Sequence, residues 1–215
     1  MYFIERSMRF MRGALASYGP SVIKKTIWDR EYSSGKWTFN DDTAHDCLYP
    51  YLEEFARNGS ILDIGCGSGN TANELTASVY STYCGVDISA AALDKARRRS
   101  EANGRSHKNT FLRADFLKYV PDGRFDLILF RESLYHVPLG SIKATLDRYA
   151  NHLADTGVFI VRMATKENGK GKARPLKMLR AIETGFNVVK QGQHGESAAT
   201  VIVFRPAPLL QSRGQ

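Results

Sequence analysis

The chain has 215 residues, 43% of them hydrophobic, and 30 Lys+Arg against 22 Asp+Glu give it a net charge of +8. That length holds one sizeable core and a short appendage rather than two domains. The longest apolar runs are strand-sized, which argues against a membrane span. Three cysteines without paired spacing, Cys47, Cys66 and Cys84, suggest neither a disulfide framework nor a zinc site, so no metal is expected and a reducing cytoplasm fits best.

Met1 to Arg12 alternates Phe3, Ile4, Phe10 and Met11 with Glu5, Arg6, Arg9 and Arg12. The charges interrupt any signal-peptide core and leave an amphipathic or partly disordered lead-in. Trp28 to Trp37 is rich in aromatics and contains Tyr32-Ser33-Ser34-Gly35. A chain this short has little else with which to exclude water from a site, so residues 1–40 are expected to form an N-terminal lid or extension.

Ile61-Leu62-Asp63-Ile64 is an apolar strand that runs into Gly65-Cys66-Gly67-Ser68-Gly69-Asn70. Glycine at alternate positions brings bare backbone against a ligand before the helix predicted over Asn70–Val79. A dinucleotide fingerprint requires its third glycine at position 70, where Asn70 stands instead. Thr82–Asp87 reads as a second strand ending in a carboxylate about 20 residues beyond the loop, where a ribose-binding acid belongs. Ala90–Asn103 is an amphipathic helix closed by Gly104. The third strand, Thr110–Phe116, ends in Asp115-Phe116, and the fourth, Phe125–Phe130, opens into Arg131-Glu132-Ser133-Leu134-Tyr135-His136.

A helix is expected over Ser141–Leu153, a turn at Ala154-Asp155-Thr156 and a fifth strand over Gly157–Met163. A basic loop with Lys166, Lys170 and Lys172 leads to a helix near Pro175–Thr184 that carries Arg174, Lys177 and Arg180 at its start. The last strands, Phe186–Val189 and Thr200–Phe204, are separated by too little chain for a parallel crossover and are expected to be antiparallel neighbours.

Asp63-x-Gly65-x-Gly67-x-Gly69, with the acids at strands two and three, resembles the class I S-adenosylmethionine-dependent methyltransferases over roughly residues 42–206. The resemblance implies a Rossmann-like, doubly wound α/β sheet of seven strands in the order 3-2-1-4-5-7-6, the last strand antiparallel. The methyltransferase domain is then 41–206, and 207–215 is a tail expected to be disordered. S-adenosylmethionine is the implied cofactor and S-adenosylhomocysteine its product. Gly65, Gly67 and Gly69 fall to the methionine end, Asp87 to the ribose, and Asp115 and Phe116 to adenine, with Asp63, Asn70, Ile88 and Arg131 as further cofactor-binding candidates.

Arg131-Glu132-x-x-x-His136 and the Tyr32 segment are similar to phosphobase methyltransferases, with glutamate where that family has aspartate. They are also similar to enzymes methylating sugars, quinones and oligosaccharides. His136 is accordingly the candidate general base, with Glu132 and Tyr32 beside it. Trp37, Tyr135, Lys172 and Arg174 are candidate acceptor-binding residues. The expected reaction is methylation of an oxygen or nitrogen on a small, possibly anionic, metabolite by a monomer or homodimer.

A nucleic-acid substrate is the enzymatic rival suggested by the charge. It is disfavoured because strand four lacks the Asp/Asn-Pro-Pro-aromatic tetrad of base-amine methyltransferases and any Pro-Cys nucleophile. A non-catalytic, cofactor-binding partner subunit is the other alternative.

Overall fold

The computed structural model describes residues 11–38, 43–165, 173–195 and 198–207. Residues 11–18 are helical (α1), followed by α2 (Ser21–Ser33), α3 (Tyr49–Ala56), β1 (Gly59–Ile64), α4 (Asn70–Glu74), β2 (Tyr80–Asp87), α5 (Ala90–Ala102) and β3 (Asn109–Arg113). The second half comprises β4 (Phe125–Arg131), α6 (Ile142–Ala150), β5 (Leu153–Ala164), α7 (Ala173–Gly185), β6 (Phe186–His194) and β7 (Ala199–Pro206).

The seven strands form one sheet in the order β3-β2-β1-β4-β5-β7-β6, as expected. Neighbours from β3 to β5 are parallel, and β7 runs antiparallel to both β5 and β6. Two-residue periodicity divides the core between the two faces. Ile61, Leu127, Leu129, Ile160 and Val203 pack on one side with Leu52 of α3 and Leu93 of α5. Leu62, Ile64, Ile128, Phe130, Phe159 and Phe204 pack on the other with Leu146 of α6 and Ile182 of α7. Continuous apolar strands such as Leu127–Phe130 are the consequence of burial on both faces.

Several boundaries differ from the sequence reading. The helix expected over Asn70–Val79 ends at Glu74 and is followed by a 3-10 turn over Ala77–Val79. Arg105 Nη1 donates to the carbonyls of Ala72 and Leu75 at 2.9 and 2.6 Å, and Tyr80 Oη donates to Ala72 at 3.0 Å. These distant donors satisfy the helix end, while Leu75 turns extended and is buried. The helix expected to reach Leu153 stops at Ala150, and Leu153 instead opens β5, paired with Phe125 across a register shift. The expected turn Ala154-Asp155-Thr156 therefore lies within β5.

The approach of β2 to the glycine loop depends on Gly85. A Cβ there would lie 2.7 Å from Cys66 Sγ and 2.9 Å from Phe111 Cδ1. Gly85→Ala is expected to destabilise the fold by about 1–3 kcal/mol through overpacking, read as a lowered melting temperature. An unchanged melt would mean the loop is less tightly held than this contact indicates.

Candidate active site

A cavity of about 680 Å³ opens at the carboxyl ends of β1, β2 and β4, where doubly wound sheets bind ligands. Its floor is the glycine loop. Gly65 and Gly67 have φ of +80° and +53°. A Cβ at Gly65 would lie 2.5 Å from Ser133 Cβ, and one at Gly67 would lie 2.6 Å from Tyr32 Oη. Only glycine gives both the left-handed backbone and the clearance. Gly69, at φ +72°, is the N-cap position of α4 and bonds its N–H to the Cys66 carbonyl at 3.0 Å; it supports the turn and does not line the cavity. Asn70 does line it, and its Oδ1 accepts from Ser68 and Arg99.

Asp87 closes the far side of the loop. Its Oδ2 accepts from Gly67 N and its Oδ1 from Ser89 N, each at 2.9 Å. Burial pushes its carboxyl up in pKa even though the N–H groups of Ser89, Gly67 and Ile88 favour the charged form. A carboxylate has about four lone-pair directions, so acceptor capacity is left for a ligand. Ile88 also borders the cavity. Ser89, rather than Asp87, caps α5, accepting from Ala92 N.

Beneath the loop, Asp63 is fully buried and burial raises its pKa to about 6, against the opposing pull of the Tyr83 hydroxyl and Arg131. Tyr83 Oη donates to Asp63 Oδ2 in a short hydrogen bond, while Oδ1 has no partner. Because Asp63 borders the cavity, this orphaned oxygen fits a ligand cation. Together, the backbone cradle, the spare lone pairs of Asp87 and the orphaned Asp63 oxygen fit an amino-acid nucleoside with vicinal hydroxyls.

Asp115 is already engaged. Lys24 Nζ lies 2.5 Å from Oδ2, Ser21 Oγ donates to the same oxygen at 2.7 Å, and Leu117 N donates to Oδ1 at 3.2 Å. Burial alone would raise its pKa, but Lys24 and Ser21 hold it below the usual carboxylate value. Phe116 borders the cavity, and its carbonyl accepts from Tyr149 Oη and Arg148 Nη2.

The opposite wall is an ion network. Asp46 Oδ2 faces Arg131 Nη2 at 3.0 Å and Arg162 Nη2 at 3.1 Å, and Arg162 Nη1 pairs with Glu132. Burial would raise the Asp46 pKa, yet the two guanidinium groups and the Leu48 N–H hold it low. Arg131 also reaches Thr71 Oγ1 at 3.3 Å, beside the N-terminus of α4. Glu132 sits at φ +54° at the exit of β4. Asp46→Ala leaves two half-buried guanidinium groups short of a partner and is expected to lower stability by about 2 kcal/mol, measured by denaturant unfolding.

Residues of α1 and α2, with Trp37 just beyond α2, form the roof. Ala16, Ser17, Lys24, Trp28, Tyr32 and Trp37 all face the cavity. Trp28 packs against Tyr32 and Trp37 with ring centroids 6.4 and 5.8 Å apart. Asp29 ties the lid to the domain through Arg113 Nη2 at 2.7 Å and Ser89 Oγ at 2.8 Å. His136 presents its edge to Trp28 at 5.2 Å, and its Nδ1 lies 2.9 Å from Ser17 Oγ. Burial, then the charges of Lys24 and Arg174, lower the His136 pKa to about 4. Tyr135 borders the cavity and donates to the Ala164 carbonyl at 2.9 Å.

One expected acceptor-binding residue, Arg174, is not brought to the site, and another, Lys172, lies outside the described residues, as do Lys166 and Lys170. Arg174 is not among the cavity-lining residues; its Nη2 donates to the carbonyls of Tyr135 and Val137 at 3.0 and 2.8 Å, and its guanidinium stacks 5.4 Å from the Tyr18 ring. It braces the segment that carries His136.

Lys24, Asp46, Arg162 and Ser17 belong to the cavity and were not among the sequence candidates. Arg162 had a signal, a charge inside the apolar run Val158–Met163 near a strand's carboxyl end. Lys24 had none, because a lysine on a short helix ordinarily reads as solvated.

The sheet order, the antiparallel seventh strand and the cavity at the switch in strand order define a class I methyltransferase fold. The model of a methyltransferase domain matches residues 39–194, and the chain belongs to that family. Among curated relatives, a sterol 24-C-methyltransferase of Pneumocystis carinii is 25% identical over 169 residues, covering 77% of this chain and 44% of its own length. A ubiquinone biosynthesis O-methyltransferase of Thiobacillus denitrificans is 37% identical over 78 residues, covering 36% of this chain and 33% of its own length. The chain thus spans less than half the length of these relatives. Among solved structures, the N-methyltransferase NodS of Bradyrhizobium japonicum, in complex with S-adenosyl-l-homocysteine, aligns with a TM-score of 0.65 at 18% identity, covering 85% of this chain and 97% of that one. The magnesium protoporphyrin IX methyltransferase of Synechocystis, also with S-adenosyl-l-homocysteine, aligns with a TM-score of 0.65 at 17% identity, covering 86% and 100%.

Proposed function

We propose that this protein is an S-adenosylmethionine-dependent methyltransferase that methylates an oxygen or nitrogen of a small molecule with a flat, largely apolar body. The observation carrying the first half is Asp87, bound to the glycine loop at the end of β2 with acceptor capacity to spare. In this reading Asp87 takes the ribose hydroxyls, Asp63 the methionine ammonium, and Arg131 the methionine carboxylate. Gly65 and Gly67 let the backbone approach. Asp115 takes the adenine amino group through its remaining acceptor capacity, with Phe116 and Ile88 against the ring. When bound, the sulfonium supplies an activated methyl group.

The acceptor half rests on the roof. Trp28, Tyr32, Trp37 and Tyr135 offer aromatic faces, whereas the lining cations not assigned to the cofactor, Lys24 and Arg162, each face a carboxylate. Paired cations favour a neutral flat acceptor over an anionic one. His136 receives the acceptor's proton on Nε2, the ring nitrogen that Ser17 does not engage, and Glu132 and Tyr32 position the acceptor around it. Residues 11–38 act as the lid, and orientation under it is worth roughly 7–11 kcal/mol of the barrier. The free cysteines suit a reducing cytoplasm.

Calorimetric titration with S-adenosylmethionine, followed by a screen of flat phenolic and amine acceptors, tests the reading. Micromolar binding with turnover supports it. Binding without turnover on any acceptor favours a cofactor-binding partner subunit, and methylation of RNA but of no small molecule favours the nucleic-acid rival.

A further inference from the structure

Helix α2 is inverted in polarity. Its two buried side chains are charged, Lys24 and Glu31, and both are held on the inner side, Lys24 by Asp115 and Glu31 by Arg12, Lys36 and Trp37 Nε1. In its first turn Val22 and Ile23 point outward, 74% and 40% exposed, while Ile27 and Trp28 further along are half-buried. Helix α1 continues the pattern. Met11, Leu15 and Tyr18, spaced i, i+4 and i+7 on one helix face, are 60%, 41% and 47% exposed, while Ala16 and Ser17 turn to the cavity. Leu176, at the start of α7, is also 47% exposed. Arg174, two residues earlier, stacks on Tyr18 and so joins α7 to this patch.

A helix pair that buries charge and exposes five large apolar side chains finds no second apolar environment among the described residues. The charges around the patch indicate what would supply it. Arg30, Lys177 and Arg180 are exposed and Lys25 is half-buried, whereas the acids of α2 are engaged inward: Glu31 as above, and Asp29 with Arg113 and Ser89. Apolar side chains fringed by lysine and arginine are the signature of a surface that lies in the interface of an anionic bilayer.

We infer that the outer face of residues 11–23, with Leu176, docks on an anionic lipid surface. Docking seats the lid, whose inner face roofs the cavity, at the membrane, so an apolar acceptor can pass from bilayer to site without crossing bulk water. This goes beyond the methyltransferase reading and does not depend on it, because lipid binding is measured without cofactor or acceptor.

The test is co-sedimentation of the full chain with vesicles of phosphatidylcholine alone or mixed with phosphatidylserine. Uptake is expected on the mixed vesicles only, decreasing as salt is raised. The double variant Val22→Glu/Ile23→Glu is expected to lower partitioning by about tenfold or more, with an unchanged melting temperature and unchanged S-adenosylmethionine binding. Absence of uptake on mixed vesicles overturns the inference, as does uptake that the double variant leaves undiminished. A concentration-dependent dimer that the same variant dissolves, without vesicle uptake, also overturns it and assigns the face to a second copy of the chain.

Discussion

Replacing Asp87 with alanine is expected to raise the dissociation constant for S-adenosylmethionine by roughly 10²–10⁴-fold. Two hydrogen bonds from ribose hydroxyls to a carboxylate are worth about 1.5–3 kcal/mol each, and every 1.4 kcal/mol is a factor of ten. Burial strengthens the argument, since an environment that raises the pKa of this carboxyl screens its ligand bonds poorly. The carboxylate also anchors Gly67 N and Ser89 N, so its loss loosens the loop as well. Asp87→Asn separates the two effects. It keeps an acceptor for only one of the two N–H groups, Gly67 N or Ser89 N, and turns an NH2 donor on the other and on the ribose, so it should recover at most part of the melting temperature of the wild type and little of its affinity. Calorimetry beside thermal unfolding reads both quantities. Wild-type affinity in Asp87→Ala would remove the ribose from this position.

The sheet was legible because its signal is local and repeated. Each of β1, β2 and β4 carries an apolar run ending in a polar or glycine-containing segment, and burial on both faces demands that run. The chain between β6 and β7 is too short for a crossover, which settled their antiparallel pairing. Helix lengths were less legible because their ends are decided at a distance. The carbonyls at the end of α4 are taken by Tyr80, a turn beyond it, and by Arg105, which is distant in sequence. Likewise Leu153 completes the helical spacing of Ile142, Leu146 and Tyr149, yet it pairs with Phe125 as a strand residue.

The candidate site divides in the same way. Residues on the strand ends and in the loop could be named because their spacing follows from the backbone they occupy. The lid could not be read in detail, since α2 breaks the rule by which faces are assigned: Lys24 and Glu31 are inside and Val22 and Ile23 outside. Such inversion occurs where a helix serves a polar site on one side. Asp46 escaped for a different reason. It lies on a loop, and its role depends on Arg131 and Arg162 arriving from two separate strands.

His136→Ala is expected to leave S-adenosylmethionine affinity within about twofold and to lower kcat by roughly 10²–10⁴-fold, the usual contribution of a positioned general base. A shift in cofactor affinity comparable to the loss in kcat would mean the histidine packs the cofactor pocket and moves no proton. The pH dependence gives a second, independent readout. Burial beneath Trp28, with Lys24 and Arg174 nearby, lowers the His136 pKa from 6.5 to about 4. The neutral imidazole is therefore the resting form, and the acid limb of the activity profile should lie well below pH 6. The same shift contributes stability that is fully present above pH 6.5 and is lost as the pH falls toward 4, because the unfolded chain takes up the proton first. That contribution is roughly 3 kcal/mol at neutral pH. Asp63, raised to about 6, acts in the opposite sense: its buried charge is a cost above pH 6 that is relieved as the pH falls toward 3.8. The two partly cancel in the wild type, so the measurement is the difference between wild type and His136→Ala in denaturant unfolding across pH 4–7. The wild type should lose stability relative to the variant as the pH falls through this window. A difference that does not change with pH would mean that water reaches the imidazole and that its pKa is ordinary, and the acid limb of the activity profile would then move to about pH 6.5.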